Sequence, residues 1–104
     1  MERVALQCHD SDNVAVVFAE DLCSGMEVSA RDKKGNLTLV TVVSDIPYGH
    51  KFALKPIHVG DEVLKYGEAI GVATREIAVG EHVHVHNMDS QRGRGDWACG
   101  YELE

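Results

Sequence analysis

Four copies of one short pattern limit what this chain can fold into. Each copy reads apolar-x-x-Gly-x-x-apolar, and the copies are LCSGMEV (22–28), IPYGHKF (46–52), IHVGDEV (57–63) and IAVGEHV (77–83). Because glycine accepts a positive φ without a side-chain penalty, each copy predicts a buried aliphatic residue, a tight turn and a strand that returns to the core. The spacing between copies is irregular, so the pattern predicts a compact domain of similar β-corners and not a solenoid.

Short segments rich in valine, threonine, isoleucine and aromatic residues predict the strands. They are NVAVVFAE (13–20), LTLVTVVS (37–44), EVLKYG (62–67), AIGVAT (69–74) and HVHVHN (82–87). No stretch holds an apolar period of about 3.6 over three turns, so we expect a mostly β domain. Within it, Gly67 and Gly71 in KYGEAIG predict a tight hairpin, or a backbone that another group approaches closely.

Length and charge narrow the possible functions. The 104 residues suffice for one domain, which we place at 1–90, followed by a glycine-rich C-terminal arm at 91–104. So short a chain favours a binding module, or one subunit of a larger assembly, over an enzyme that encloses its substrate alone. The net charge of −7 argues against a nucleic-acid partner, and no apolar run is long enough to span a membrane.

The beginning of the chain and its cysteines indicate the compartment. The first ten residues, MERVALQCHD, carry early charges and lack the apolar run of a signal peptide. Cys8, Cys23 and Cys99 have no CxxC or CxH spacing, which argues against both a disulfide framework and a metal site made of thiolates. We therefore expect a cytoplasmic protein.

Three of the six histidines alternate with valines in GEHVHVHN (80–87). On a strand this alternation puts His82, His84 and His86 on one face, with neighbours ~6.5–7 Å apart. Two such imidazoles can converge on one metal ion, because each nitrogen binds at ~2.1 Å. The alternative is that the three form only the polar outer face of a strand.

Three further polar residues lie next to the predicted turns. His50 and Lys51 follow Gly49, and as neighbours on a strand they are expected to point to opposite sides, where either can face an anion. Asn87 can hydrogen-bond a hydroxyl group or orient a histidine. The alternatives are the commonest roles of these residue types, a turn histidine and a solvent-facing lysine.

Several motifs together resemble a known family. PYGHKFAL (47–54), KYGEAIG (65–71) and GEHVHVHN (80–87), with DNVAVVFAEDLCSGMEV (12–28) before them, resemble the small subunit or N-terminal domain of the altronate and galactarate dehydratases. The small subunit of sulfolactate sulfo-lyase is similar. The resemblance covers about positions 4 to 95, and it implies an SAF-type domain with a compact β-clip fold.

The resemblance implies dehydration of a sugar acid with a divalent metal, expected to be Fe²⁺, with Mn²⁺ as the alternative. Removing an α-proton and protonating the departing hydroxide need groups that titrate near neutrality, and a cation stabilises the developing charge. We expect His50 and Lys51 to be catalytic, Lys51 and Asn87 to bind substrate, and His84 and His86 to bind the metal. His82, at the start of the strand, is expected to face solvent or to support the ligands without binding the metal itself.

The implied partner is a large catalytic subunit, so we expect this chain to be inactive alone. Two other functions stay open. One is a non-catalytic SAF-type module that binds an acidic sugar or a protein. The other is a homo-oligomer that stores metal on its histidine face.

Overall fold

The computed structural model describes residues 3–90, and the predicted arm at 91–104 lies outside them. The described residues form nine strands: β1 Val4–Leu6, β2 Val14–Val17, β3 Glu27–Arg31, β4 Leu37–Thr41, β5 Lys51–Ala53, β6 Glu62–Lys65, β7 Glu68–Ala73, β8 His82–Val83 and β9 Met88–Ser90. They include no helix that is long and apolar enough to cross a membrane. The predicted mostly β class is confirmed.

The strands form two sheets around two apolar clusters. Six strands lie in the order β4-β3-β1-β2-β5-β8, and three in the order β6-β7-β9. Strands β2 and β5 contribute to both clusters, because alternate residues of a strand point to opposite faces. Ala15 pairs with Phe52 in the first cluster, and Val14 pairs with Ala53 in the second. The two strands therefore lie between the two clusters and contribute side chains to both.

The four predicted corners are present and share one geometry. Their glycines have φ values of 92° at Gly25, 82° at Gly49, 90° at Gly60 and 84° at Gly80. In each corner the residue after the glycine donates its N–H to the carbonyl three residues earlier, at 2.9–3.0 Å. These features are those of a β-turn that needs glycine at its third position.

The corners are held together in pairs. Leu22 forms an isolated bridge with Ile46, and Ile57 forms one with Ile77. All four side chains are buried, as the pattern predicts. The corner glycines add bonds to distant strands, since Gly49 donates its N–H to the carbonyl of a β2 residue and Gly80 donates to the carbonyl of Ala53 in β5. The beginnings of β5 and β8 are thereby fixed near each other.

Acidic residues cap the partner corner. The Asp45 carboxylate, which precedes Ile46, accepts the N–H of Ser24 at 2.8 Å. The Glu76 carboxylate, which precedes Ile77, likewise accepts the N–H of Val59 at 3.1 Å. Each cap stabilises a turn that is distant in sequence, so the carboxylates reinforce the pairing of the corners.

The KYGEAIG motif forms the β6–β7 hairpin. Tyr66 and Gly67 both have positive φ, and both donate their N–H groups to the fully buried carboxylate of Asp12, at 3.0 and 2.8 Å. A side chain at Gly71 would collide with the carbonyl oxygen of Asp89 in β9. The hairpin and the close approach predicted for this motif are both confirmed, at different glycines.

Some predicted strand boundaries are wrong. The strand predicted over 82–87 ends at Val83, and residues 84–87 form a turn that leads into β9. The strands predicted over 13–20 and 37–44 are shorter, at Val14–Val17 and Leu37–Thr41.

Two glycine substitutions separate the cost of backbone conformation from the cost of packing. A side chain at Gly60 meets no atom within 4 Å, so Gly60→Ala should lower the free energy of unfolding by ~1–2 kcal/mol through its positive φ alone. At Gly80 a side chain would also meet the Thr41 carbonyl, and Gly80→Ala should cost a further ~1–3 kcal/mol. Urea denaturation measures both, and equal losses would contradict this account of Gly80.

Candidate metal centre

Three histidines meet where β5 and β8 pair. The strands are antiparallel, with Lys51 opposite Val83 and Phe52 opposite His82. His50 comes just before β5, and His84 just after β8. Because the strands are antiparallel, both histidines lie at the same end of the pair. The Nδ1 atom of His50 lies 2.9 Å from Nε2 of His82, and the ring centroids of His50 and His84 are 4.6 Å apart. The three imidazoles therefore form one group on one side of the strands.

A buried asparagine holds the turn that carries His84. Asn87 is 0% exposed, and its side-chain amide donates to the His82 carbonyl at 2.8 Å while its side-chain oxygen accepts the N–H of His84 at 3.0 Å. Its own N–H donates to the His84 carbonyl at 3.1 Å. These bonds close the turn and end the strand. Asn87 presents no surface to a ligand here, so its position fits orientation of a histidine instead of the predicted contact with substrate.

The predicted ligand pair rested on a longer strand than the one observed. Because β8 ends at Val83, the three ligand atoms that lie within 4.8 Å of one another belong to His50, His82 and His84. His86 is exposed and outside this group, although its ring centroid is 5.3 Å from that of His82. The structure brings His84 together with His82, which was predicted to begin the strand, and with His50, which lies in another corner.

The surroundings of His82 and His84 favour the neutral form of both imidazoles. Burial, followed by the positive charge that His50, His86, His84 and Lys51 can carry, lowers the pKa of His82 from 6.5 to about 4. Burial and the charge at His50 also lower the pKa of His84. At neutral pH both rings therefore keep the lone pairs that metal binding requires.

The spacing of the donors fits a divalent first-row ion. Metal–nitrogen bonds of ~2.1 Å put two ligand nitrogens ~3.0–3.4 Å apart in octahedral or tetrahedral geometry. The His50 and His82 nitrogens, at 2.9 Å, are close to this spacing, and the ligand atom of His84 lies within 4.8 Å of the other two. Three imidazoles leave further coordination positions open. They suit several metals and do not by themselves select one.

Lys51 lies on the other side of β5. It lines a separate pocket with Lys65, while His50 beside it contributes to the histidine group. Burial and the neighbouring Lys65 lower the pKa of Lys51. The two residues predicted to be catalytic are thus adjacent in sequence and belong to different sites.

The comparison with known families follows this geometry. A family model described as the altronate/galactarate dehydratase SAF domain matches residues 3–91. The chain belongs to this family. The resemblance visible in the sequence motifs is confirmed, and the mostly β fold is that of an SAF domain.

Relatives of this SAF domain are named as dehydratases or as a sulfo-lyase subunit. Altronate dehydratase of Escherichia coli is 48% identical over 82 residues, which are 79% of this chain and 15% of that protein. The (2R)-sulfolactate sulfo-lyase subunit alpha of Chromohalobacter salexigens is 38% identical over 86 residues, 81% of this chain and 92% of that subunit. Galactarate dehydratase (L-threo-forming) of Escherichia coli is 35% identical over 78 residues, 75% of this chain. The chain thus spans nearly all of one relative and about one seventh of the dehydratases.

Removal of the Asn87 side chain should loosen the histidine turn. Asn87→Ala deletes two buried hydrogen bonds and leaves their partners unsatisfied, so the free energy of unfolding should fall by ~2–3 kcal/mol. The matched control is Asn36→Ala, since Asn36 bonds the Asp32 side chain at an exposed site, and its loss should cost less than ~1 kcal/mol. Equal effects in urea denaturation would show that Asn87 has no special role.

The lowered pKa of His82 predicts an acid-sensitive fold in the metal-free chain. The unfolded chain binds more protons than the folded chain between the ordinary pKa of 6.5 and the folded value of about 4. The free energy of unfolding should therefore fall as the pH falls through this window, and be unaffected by His82 above it. Urea denaturation at pH 7.5 and pH 5 tests this. An unchanged pH slope in His82→Gln would contradict the prediction.

Proposed function

We propose that this SAF domain is part of a metal-dependent lyase acting on a sugar acid or a related hydroxy acid. In this proposal it supplies imidazole ligands to a site that it shares with a larger catalytic part. The observation that carries the proposal is a group of three converging imidazoles in a member of the altronate/galactarate dehydratase family. The sugar-acid and sulfo-acid names of the relatives supply the substrate class.

The residues that would hold the ion are His50, His82 and His84. Fe²⁺ is the proposed metal, with Mn²⁺ as the alternative. When bound, a divalent cation polarises the carboxylate and hydroxyl oxygens of a hydroxy acid and stabilises the negative charge that follows loss of the α-proton.

Metal binding changes the acid–base assignment. An imidazole nitrogen that gives its lone pair to a metal cannot also take a proton, so the general acid–base role predicted for His50 passes to His86 in this proposal. His86 is exposed, and its ring lies next to that of His82. It is therefore placed to exchange a proton with a molecule bound at the histidine group.

Exposed apolar side chains lie near the histidines in the sequence, or follow a strand bonded to His50, and they support the proposed shared site. Phe18 and Tyr48 are 47% and 56% exposed and contact each other edge to face, with ring centroids 6.0 Å apart. Val85, between two of the histidines, is 76% exposed. Large apolar groups in contact with water beside a polar centre are typical of a surface that another protein surface covers. We infer that the catalytic part docks here and contributes the groups that recognise the hydroxyls of the acid.

Metal titration of the isolated chain tests the first half of the proposal. Calorimetry with Mn²⁺, or with Fe²⁺ in the absence of oxygen, should show one site per chain. His82→Ala and His84→Ala should each weaken binding by at least ~10-fold, because each removes one of three protein ligands. His9→Ala is the control, since the His9 imidazole bonds nearby Ser11 and lies outside the group, and this variant should bind metal normally.

Turnover by the assembled enzyme tests the second half. Dehydration of altronate and galactarate, and desulfonation of sulfolactate, are measured after the chain is combined with the catalytic part of a family lyase. His84→Ala should abolish turnover while the two parts still associate. A chain that binds no metal, and whose histidine variants support full turnover, would instead favour a non-catalytic binding module.

A further inference from the structure

A second group of charged side chains lies on the face of β5 opposite the histidines. Lys51 on β5 and Lys65 on β6 line a pocket of about 300 Å³. The remaining lining residues are Tyr66, Glu68, Ile70, Met88 and Ser90. The volume is at the lower end of the range of small-molecule sites, so the pocket suits a small ligand.

Neither lysine forms a salt bridge with another of the described residues. Within residues 3–90 the ion pairs are Arg3 with Asp21, Lys34 with Asp10, and His58 with Glu76. Lys51 and Lys65 take part in none of them. Glu68, the one carboxylate of the pocket lining, lies opposite Lys65 in the β6–β7 ladder but forms a salt bridge with neither lysine. The Lys65 ammonium instead lies 5.5 Å from the centroid of the Tyr66 ring. The pocket therefore contains two cations and one anion.

The surroundings of Lys51 make an added anion favourable. Its side chain is half-buried, and the ammonium group of Lys65 lines the same pocket. Two like charges at one partly buried site repel each other more strongly than they would in water. An anion between the two ammonium groups would relieve this repulsion and accept hydrogen bonds from both.

Apolar groups complete the pocket. Ile70 packs against the second core cluster, of which buried Met88 is a member. These side chains offer contact area for carbon atoms, while the lysines offer charge. A ligand that combines a strong anion with a short carbon skeleton matches both features.

We propose that the pocket between Lys51 and Lys65 is an anion site that binds the carboxylate or sulfonate group of a small organic acid. The site is separate from the histidine group and needs no metal. The same chemistry is available from an acidic side chain of a polypeptide, so the experiment includes both sources.

Solution NMR of the metal-free, full-length chain tests the site directly. Amide signals are followed while galactarate, sulfolactate or a capped diglutamate peptide is added at constant ionic strength. Saturable shifts at Lys51, Lys65, Tyr66 and their neighbours are expected with at least one of the small acids, and none with the uncharged galactitol. Stronger binding of the peptide than of either small acid would overturn the small-molecule assignment.

Three variants that each remove one positive charge distinguish the pocket from the general charge of the surface. Lys51→Gln and Lys65→Gln should each weaken binding by at least about 5-fold, since each removes one of two charge-assisted hydrogen-bond donors. Lys33→Gln removes a charge from an exposed turn outside the pocket and should bind as the unaltered chain does. Equal weakening in all three variants, or shifts centred on the histidines, would overturn the proposal.

Metal titration of Lys65→Gln separates this inference from the proposed lyase function. Lys65 lies outside the histidine group, so the variant should bind Mn²⁺ normally while it loses the acid. Failure of the acid to bind to an otherwise metal-competent chain would count against the lysine pocket only. Failure of metal binding in a chain that takes up the acid would count against the lyase proposal only.

Discussion

The pairing of corners is the interaction on which the rest of this structure depends. Leu22 with Ile46, and Ile57 with Ile77, form two buried bridges between segments about 20 residues apart, and carboxylates from one corner cap the turn of its partner. Each bridge both buries apolar surface and satisfies backbone groups that would otherwise be left in the core. Short strands, several of only three residues, need such non-local support because none is stable alone.

The corner arrangement also explains where the chemistry lies. It puts the beginning of β5 beside β8. His50 of the second corner therefore meets His82 of the fourth corner and His84, which follows that corner. The alternation of β5 then separates two environments: imidazole nitrogen donors on one face, suited to a metal, and ammonium groups without a salt bridge to the described residues on the other, suited to an acid. His50 and Lys51 are adjacent in the chain, yet they belong to these different sites.

The features of the fold that depend on nearby residues could be predicted from the sequence. The repeated glycines predicted the corner turns and their buried aliphatic residues, and KYGEAIG predicted the hairpin, because these conformations are encoded within a few positions. The sequence offered no comparable signal for which corners pair, or for Asp12 as the acceptor that holds the hairpin turn. Those contacts join residues up to 55 positions apart.

The histidine segment shows the limit of pattern reasoning most clearly. Alternation of valine and histidine predicted a strand through residue 87, and the metal pair His84 and His86 followed from it. The side chain of Asn87 bonds the backbone of residues 82 and 84 and turns the chain instead. The sequence does not distinguish a buried asparagine that closes a turn from an exposed one. The grouping of His50 and His82 with His84 therefore becomes visible only in the fold.

The central claim, that His50, His82 and His84 converge on one divalent ion, is tested most directly by the imidazole NMR signals during addition of substoichiometric Mn²⁺. A paramagnetic ion broadens the signals of the rings nearest to it. The account predicts that the signals of His50, His82 and His84 broaden first and together, that His86 follows, and that His9 and His58 remain sharp. Broadening that begins at His58 or at surface carboxylates, with the three rings unaffected, would contradict it.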